Sequence, residues 1–259
     1  MAVETKLVEL TYEDRVATMI LNRADALNAL NLEMLKEVLS ALQHVKEQGT
    51  DFLVIKGSGK AFSAGGDIKM MLAPSHDESF GDVMGVINHL ITTLYQLPTI
   101  TIAAVNGAAA GLGLSLALAC DYIIADERAK LAMNFIGIAL IPDGGGHFLL
   151  EKRMGAHEAK KLIWEGEVLT AQQGLEKYII DETASDLDAA VEQKVGAWKK
   201  KPVLAMKKTK DIYVSQSLSQ LKASLEMEKE GQGQMNQTKD HREGIEAFVQ
   251  KRPPVFTGQ

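Results

Sequence analysis

Thr99-Ile-Thr-Ile-Ala-Ala-Val-Asn-Gly-Ala-Ala-Ala-Gly-Leu-Gly113 is the stretch of this sequence that decides the fold. Its first part, residues 99–105, is short, apolar and rich in β-branched side chains, a pattern that predicts a buried strand. Asn106-Gly107 is a common turn dipeptide and ends the strand. The apolar run over 111–119 then predicts a buried helix. A strand, a glycine-rich turn and a helix in this order are typical of an α/β fold with parallel strands.

The same order of features occurs earlier in the chain. Phe52-Leu-Val-Ile55 predicts a buried strand, and Lys60-Ala-Phe-Ser-Ala-Gly-Gly-Asp-Ile68 follows it as another glycine-rich turn. Further strands are predicted at 7–10, 16–21 and 121–125, and further helices at 31–48 and 78–96. The alternation of strands and helices predicts an α/β architecture in which most strands run parallel.

The pattern changes after about Gly144, where helical periodicities succeed one another. The predicted helices cover 144–153, 156–165, 171–177, 186–200, 203–217, 218–230 and 239–250. We therefore expect a strand-containing core over residues 1–195 and an all-helical C-terminal region over residues 196–259. A helical end of this kind packs either on its own core or on another subunit.

The composition and charge of the chain argue against several classes of protein. Its 259 residues include 46% hydrophobic and 24% charged residues, which is ordinary for a soluble globular protein. A net charge of -6 offers no basic excess for nucleic acid or an anionic membrane surface. No apolar run approaches the roughly 18 to 20 residues needed to cross a bilayer. The single cysteine, Cys120, and an N-terminus without a secretory pattern predict a cytoplasmic protein without a disulfide framework.

The two glycine-rich turns have the features of a site for negative charge. Glycine lets the backbone turn sharply and lets a ligand approach its N–H groups closely. The turn that ends at Gly113 also opens a helix, whose first N–H groups have no partner inside the helix. Two such N–H groups that converge on one oxygen would form an oxyanion hole. The alternative is that both turns serve packing alone, which is common for glycine-rich turns between strand and helix.

Short motifs along nearly the whole chain form an ordered set. These motifs are Leu21-Asn-Arg23, Ala26-Leu-Asn-Ala-Leu30, Ala61-Phe-Ser-Ala-Gly-Gly-Asp-Ile68, Ala104-Val-Asn-Gly107, Ile141-Pro142, Gly144-Gly-Gly146 and Phe248-Val-Gln-Lys-Arg252. With these motifs in this order, the chain resembles the enoyl-CoA hydratase/isomerase family, also called the crotonase superfamily. The resemblance implies a spiral of ββα turns as the core, followed by a helical trimerisation region. It also implies an acyl-coenzyme A substrate, no separate cofactor, no metal, and a homotrimer or a dimer of trimers.

The resemblance also assigns roles to individual residues. It places the oxyanion hole at the backbone N–H groups of Gly66 and Leu112, and Leu112 is compatible with a position that is usually glycine because only its N–H is needed. It assigns coenzyme A binding to Ala26, Leu27, Ala64, Asp67, Ile68 and Lys251. Of these, Lys251 matches a C-terminal lysine that reaches the phosphates, often from a neighbouring subunit. Asp25 stands where many members have lysine, so the phosphate contact on that side is in doubt for this chain.

Departures from the family pattern bear on the reaction. Hydratases of the family use two glutamates, and the matching positions here are Ser115 and Phe135, neither of which can act as a general base. Asp143, just before the glycines 144–146, matches the single Asp or Glu of several double-bond isomerases of the family. One carboxylate is enough to take a proton from C2 of a 3-enoyl thioester and to return one at C4. The resemblance is therefore closest to the single-carboxylate isomerases.

The sequence leaves alternatives at each of these points. Asp143 could serve only as a cap of the helix that follows it, as aspartate after proline often does. His147 could point into the site, although a lone histidine is more often structural or exposed. The chain could be a hydratase that uses an acid from elsewhere, or an acyl-CoA-binding homologue without catalysis. The acidic balance argues against the RNA binding that some relatives suggest.

Overall fold

The strands and helices follow the predicted alternation. A computed structural model describes residues 3–4, 7–67 and 80–259. Its strands are β1 (Val3–Glu4), β2 (Val8–Glu13), β3 (Val16–Leu21), β4 (Phe52–Gly57), β5 (Ala61–Ser63), β6 (Ile100–Val105), β7 (Ala108–Ala110), β8 (Tyr122–Asp126), β9 (Lys130–Ala132), β10 (Val168–Thr170) and β11 (Glu182–Ala184). Its helices are α1 (Leu32–Gln48), α2 (Phe80–Tyr95), α3 (Leu112–Leu118), α4 (Gly146–Glu165), α5 (Ala171–Glu176), α6 (Leu187–Lys199), α7 (Val203–Met235) and α8 (Lys239–Gln250). Short 3-10 helices cover Ala24–Ala26 and Ile136–Ile138.

The described strands form two sheets. The larger sheet has the order β1-β2-β3-β4-β6-β8-β11. Its strands from β3 to β11 run parallel, whereas β1, β2 and β3 pair antiparallel at one edge. The smaller sheet has the order β10-β9-β7-β5, with β5, β7 and β9 parallel and β10 antiparallel to β9. The predicted α/β architecture with mostly parallel strands is confirmed.

Each turn of the fold adds one strand to each sheet and then a helix. β5 follows β4, β7 follows β6 and β9 follows β8, and the next helices along the described chain are α2, α3 and α4. The backbone approaches itself closely between the sheets. A Cβ atom added at Gly57, for example, would lie 2.1 Å from the oxygen of Ala61. One added at Gly107 would lie 2.0 Å from the oxygen of Lys60. Only glycine permits these approaches. The repeated unit is the spiral of ββα turns that the resemblance implied.

The first helix shows how local sequence sets an element and how its packing holds it. Asn31 caps α1 by accepting a hydrogen bond from the N–H of Met34, and Gly49 ends it in the left-handed conformation. The helix packs against α2 and β2. Its buried residues are Met34, Leu35, Val38, Ala41, Leu42 and Val45. Each large aliphatic side chain buried in this way stabilises the fold by about 1.5–3 kcal/mol relative to an exposed one.

Some details of the C-terminal half differ from the sequence-based expectation. The helices predicted at 203–217 and 218–230 are one helix, α7, because neither proline nor glycine interrupts the chain between Pro202 and Gly231. Two short strands, β10 and β11, lie in the part that the pattern predicted to be helical. Strands of three residues are too short for an alternating pattern to reveal them. The predicted break between 153 and 156 falls at Gly155, where α4 is kinked.

The C-terminal helices pack on their own chain. α7 lies against α2 and α4, and its Leu221 and Leu225 are buried there. α8 packs on the 3-10 helix Ile136–Ile138. The division into residues 1–195 and 196–259 stays a prediction. Among the helices described, none has the length and apolarity that crossing a membrane requires.

Candidate active site

The two glycine-rich turns are in contact. A Cβ atom added at Gly65 would lie 2.6 Å from the oxygen of Ala110 and 3.4 Å from the nitrogen of Leu112. A Cβ atom added at Gly113 would lie 2.6 Å from the oxygen of Ser63. The turns therefore approach each other more closely than any residue with a side chain would allow. This contact brings together the two segments to which the sequence assigned the oxyanion hole.

Within residues 7–67 and 80–259, the backbone N–H groups of Gly66 and Leu112 have no hydrogen-bond partner. Leu112 is the first residue of α3, so its N–H has no partner within the helix. Gly66 forms an isolated parallel bridge with Leu30, in which the flanking residues 65 and 67 make the hydrogen bonds. No described residue accepts a hydrogen bond from either N–H group. Two such donors on touching turns are compatible with the oxyanion hole that the resemblance implies, and its assignment stays a prediction.

Asn28 holds the first turn in place. It is fully buried, and its backbone adopts the left-handed conformation that asparagine tolerates better than most residues. Its side-chain nitrogen donates to the oxygens of Ser58 at 2.9 Å and Ala61 at 2.8 Å. The hydroxyl of Ser63 in turn donates to the backbone oxygen of Asn28 at 2.8 Å. Sequence reasoning placed Asn28 in a motif but missed this buried network, since its partners lie about 30 residues away.

The two segments assigned to coenzyme A binding are joined to each other. The N–H of Ala64 donates to the oxygen of Leu27 at 2.9 Å, next to Ala26 in its 3-10 helix. The carboxylate of Asp67 forms a 2.6 Å ion pair with the guanidinium of Arg23, which is a second bond between the two segments. Leu27 and Ala64 are exposed on the surface that results. Ile68 lies outside the residues that the structure describes.

Lys251 lies at the C-terminal end of α8. It is exposed and adopts the left-handed backbone conformation that ends the helix. No hydrogen bond or ion pair among the described residues joins it to either glycine-rich turn. Its contact with coenzyme A phosphates therefore stays a prediction. Asp25, at the position where a second basic group is common, is exposed in its 3-10 helix.

Asp143 is brought against the helix that begins at Leu112. Its backbone oxygen accepts a 2.8 Å hydrogen bond from the hydroxyl of Ser115 in α3. A Cβ atom added at the next residue, Gly144, would lie 2.5 Å from a methyl carbon of Leu112 and 3.0 Å from the Cβ of Ser115. The loop that carries Asp143 is thus packed on the helix that supplies one of the free N–H groups.

The two positions of the hydratase glutamates hold no acid. Ser115 is fully buried and its hydroxyl is engaged with the backbone oxygen of Asp143. Phe135 is buried, and its ring lies 3.4 Å from the point where a Cβ atom would sit on Gly111. The ring therefore fills space beside the second glycine-rich turn. Neither side chain can accept a proton from water at this place.

Asp143 does not cap the helix that follows it, so that alternative is wrong. The residue at the cap position of α4 is Gly145, and no side chain caps the helix from there. Oxygen Oδ1 of Asp143 is buried and has no hydrogen-bond partner among the described residues. Only 8% of the residue is exposed. A buried carboxyl oxygen without a partner is unusual, and it makes this side chain a candidate functional group.

Burial, the larger cause, and the nearby charge of Glu228 together raise the pKa of the Asp143 carboxyl to about 8. The sequence could not decide whether the dipole of α4 or removal from water would prevail. Removal from water prevails, because it disfavours the charged form of a carboxyl group. A carboxyl that gains and loses its proton near neutral pH is suited to proton transfer in both directions.

Glu228, from α7, caps the N-terminus of α4 in place of Asp143. Its carboxylate accepts hydrogen bonds from the N–H groups of Gly145 at 2.7 Å and His147 at 3.0 Å. It also lies 2.8 Å from Nδ1 of His147. Glu228 is only 2% exposed, whereas the side chain of His147 is 40% exposed. His147 is therefore partly exposed and paired with Glu228, in agreement with its structural interpretation.

Gln232 lies one helical turn beyond Glu228 and holds the same loop. Its side-chain nitrogen donates to the oxygen of Ile141 at 2.5 Å, and the residue is buried. Sequence reasoning assigned this part of α7 to oligomerisation and missed both residues. A signal was present: residues 221, 225, 228 and 232 repeat at intervals of four, three and four, so the two polar residues continue the buried stripe of two leucines.

Comparisons with known proteins match nearly the whole length of the chain. A family model described as enoyl-CoA hydratase/isomerase matches residues 11–259. The Bacillus subtilis (strain 168) protein YhaR, whose name places it with the enoyl-CoA hydratases/isomerases, is 45% identical over 97% of this chain and 99% of YhaR. The trans-2-decenoyl-[acyl-carrier-protein] isomerase of Streptococcus mutans serotype c is 31% identical over 95% of this chain and 96% of that protein. A crystal structure of an enoyl-CoA hydratase from Mycobacterium avium subsp. paratuberculosis K-10 is similar with a TM-score of 0.88 at 30% identity, over 98% of this chain and 100% of that chain.

Proposed function

We propose that this chain, which belongs to the enoyl-CoA hydratase/isomerase family, shifts a carbon–carbon double bond in an enoyl-CoA thioester. The observation that carries the proposal is the state of Asp143. Its carboxyl is buried, one oxygen has no described partner, and its pKa is raised to about 8. It lies on a loop fixed to α3, the helix that begins with the free N–H of Leu112.

The N–H groups of Gly66 and Leu112 hold the thioester oxygen in this proposal. Removing a proton from C2 of a 3-enoyl thioester moves negative charge onto that oxygen. Donors that are already in place stabilise this charge without having to reorganise. One such donor typically contributes about 3–4 kcal/mol to the transition state.

Asp143 carries the proton between the two carbon atoms. The ionised carboxylate takes the proton from C2, which leaves a dienolate and a neutral carboxylic acid. The acid then delivers a proton to C4, the double bond forms between C2 and C3, and the carboxylate is restored. The raised pKa supports both steps, because it makes Asp143 a stronger base than an ordinary aspartate and still allows it to release the proton.

Hydration of a 2-enoyl-CoA is the second candidate. It is favoured by the hydratase name of the M. avium neighbour. Hydration requires one group to activate water and one to deliver a proton, and Ser115 and Phe135 occupy the usual places of these groups. The carboxylate of Glu228 is already engaged by backbone N–H groups. Isomerisation needs only one carboxyl group, which Asp143 provides in this proposal. The S. mutans relative is named as an isomerase.

The proposal includes the carrier of the acyl group. Coenzyme A is part of the substrate, and it would lie along the joined segments that contain Ala26, Leu27, Ala64 and Asp67. The S. mutans relative is named for an acyl group on acyl carrier protein, which presents the same thioester. We infer coenzyme A as the carrier here because YhaR and the family model both name it.

A direct assay tests the reaction. Purified protein is offered a 3-enoyl-CoA, the same acyl group on acyl carrier protein, and a 2-enoyl-CoA, and the conjugated thioester is followed by its absorbance. We expect isomerisation of the 3-enoyl-CoA and a loss of about 10²- to 10⁴-fold in Asp143→Asn. Asp211→Asn, which changes an exposed aspartate of α7, is the matched control. Equal isomerisation by wild type and Asp143→Asn, or fast hydration by both, would contradict the proposal.

A further inference from the structure

The capping of α4 is done in an unusual way. A local Asp normally supplies the cap of a helix that begins just after it. Here Asp143 is near the start of α4 in sequence, yet its Oδ1 has no described partner. Glu228 supplies the cap instead, from 83 residues further along the chain. Because a distant carboxylate satisfies the N–H groups, the carboxyl of Asp143 is not used for this purpose.

The same arrangement places two buried carboxyl groups near each other. A buried carboxylate is costly unless N–H donors satisfy it, and Glu228 receives two from the backbone of α4. The negative charge of Glu228 acts on Asp143 through a part of the protein from which water is excluded, where charges interact more strongly than at the surface.

We propose that Glu228 is a positioning residue for Asp143. Glu228 fixes the loop that carries Asp143, and it also places a second negative charge beside the Asp143 carboxyl. The role of Asp143 in this inference rests on the proposed isomerase function. Glu228 is not a catalytic residue, because its oxygens are engaged by the N–H groups of Gly145 and His147. Gln232 contributes only to the first effect, since it is uncharged and holds the oxygen of Ile141.

His147 connects this buried pair to solvent. Its ring contacts Glu228 and lines an open groove of about 600 Å³ between α4 and α7. The charged groups that face His147 in this groove are Glu228 on α7 and Glu151 and Lys152 on α4.

Two substitutions of Glu228 separate its two effects. Glu228→Gln removes the charge, and Glu228→Asp keeps the charge but shortens the side chain by one methylene. The titration of Asp143 is followed by ¹³C NMR of its labelled carboxyl carbon, assigned by its absence in Asp143→Asn. The pH dependence of kcat/KM for the 3-enoyl-CoA is measured on the same samples. Glu230→Gln is the control, because it makes the same change of charge at an exposed position of α7.

We expect Glu228→Gln to move the titration of Asp143, and the acid limb of kcat/KM, to lower pH by about 1. We expect Glu228→Asp to lower kcat about tenfold while the titration stays within about 0.3 of wild type, because the loop is less well held but the charge remains. Glu230→Gln should change neither quantity.

An unchanged titration of Asp143 in Glu228→Gln would overturn the inference, and so would an equal shift in Glu230→Gln. If Glu228→Gln does not fold, Glu228→Asp decides the question, because an unchanged kcat in that variant would overturn the positioning role. The NMR titration does not depend on turnover. A shifted titration combined with full activity of Asp143→Asn would therefore contradict the proposed function and leave the coupling of the two carboxyl groups intact.

Discussion

The hydroxyl of Ser115 donates a 2.8 Å hydrogen bond to the backbone oxygen of Asp143. Ser115 occupies a place where hydratases of the family have a glutamate, according to the sequence resemblance. In this chain the position has a different use, because the serine holds the carboxyl-bearing loop against α3. The side chain of Ser115 thus helps to place the loop that carries Asp143, the proposed base.

This bond gives the first prediction. We expect Ser115→Ala to destabilise the protein by about 1 kcal/mol, because it removes a buried hydrogen bond and leaves the oxygen of Asp143 with the N–H of Gly146 as its donor. We also expect kcat to fall several-fold while KM changes little, since the loop moves but the thioester site stays. Thermal unfolding and steady-state kinetics provide the measurements. Ser219→Ala, at an exposed position of α7, should behave as wild type, and equal behaviour of the two variants would exclude the role of Ser115.

The contact between the glycine-rich turns leads to the second prediction. In Gly113→Ala the new methyl group would lie 2.6 Å from the oxygen of Ser63, so the turns must move apart. We expect turnover to fall at least tenfold, because the two N–H donors no longer converge. Gly196→Ala is the control, since nothing lies within 4 Å of the added methyl group and alanine favours the helix. Full activity of Gly113→Ala would show that this spacing is not needed.

The third prediction concerns the pH dependence of the reaction. Asp143 must be ionised to take the proton from C2, and its pKa is raised to about 8. We therefore expect kcat/KM for a 3-enoyl-CoA to increase with pH through about 8 and to level off above it. Initial rates across this range provide the measurement. A profile that is flat from acidic to alkaline pH would argue that a different group carries the proton.

The fourth prediction concerns stability. The folded protein keeps a proton on Asp143 up to about pH 8, whereas the unfolded chain releases it near the ordinary value of 3.8. This contribution to stability is fully present below about pH 4 and is lost as pH rises through about 8. Asp143→Asn has no such loss. We expect its melting temperature relative to wild type to increase as pH rises across this window, measured by calorimetry. A constant difference would contradict the raised pKa.

The fifth prediction concerns the C-terminal region. We expect a homotrimer or a dimer of trimers, supported by exposed apolar side chains on α7 such as Leu204, Ile212 and Tyr213. Light scattering at micromolar concentration tests this, and a monomer alone would exclude it.

We expect Lys251→Ala to weaken binding of a coenzyme A thioester without changing the melting temperature, because Lys251 is exposed. Lys200→Ala, also at an exposed lysine, should bind as wild type.

The sequence by itself predicted the alternation of strands and helices and the two glycine-rich turns, because short apolar strands and glycine-rich turns are local patterns. The spiral of ββα turns, the oxyanion-hole positions Gly66 and Leu112, and Asp143 as the candidate base came from the resemblance to the family, and the two site assignments stay predictions. The family is also readable in this way, because its motifs are short and occur in a fixed order. The long helix α7 was predicted as helix but not as one continuous element, since the absence of a breaker is a weaker signal than its presence.

Only the tertiary structure decided what surrounds Asp143. Glu228 and Gln232 reach the loop from 83 and 91 residues away, and the spacing along α7 indicates a buried face without saying what it touches. The charge state of a carboxyl depends on how much water is removed from it and on which charges lie near it. Both are set by which helices pack over the loop, so the raised pKa of Asp143 and its coupling to Glu228 emerge only when the chain is folded.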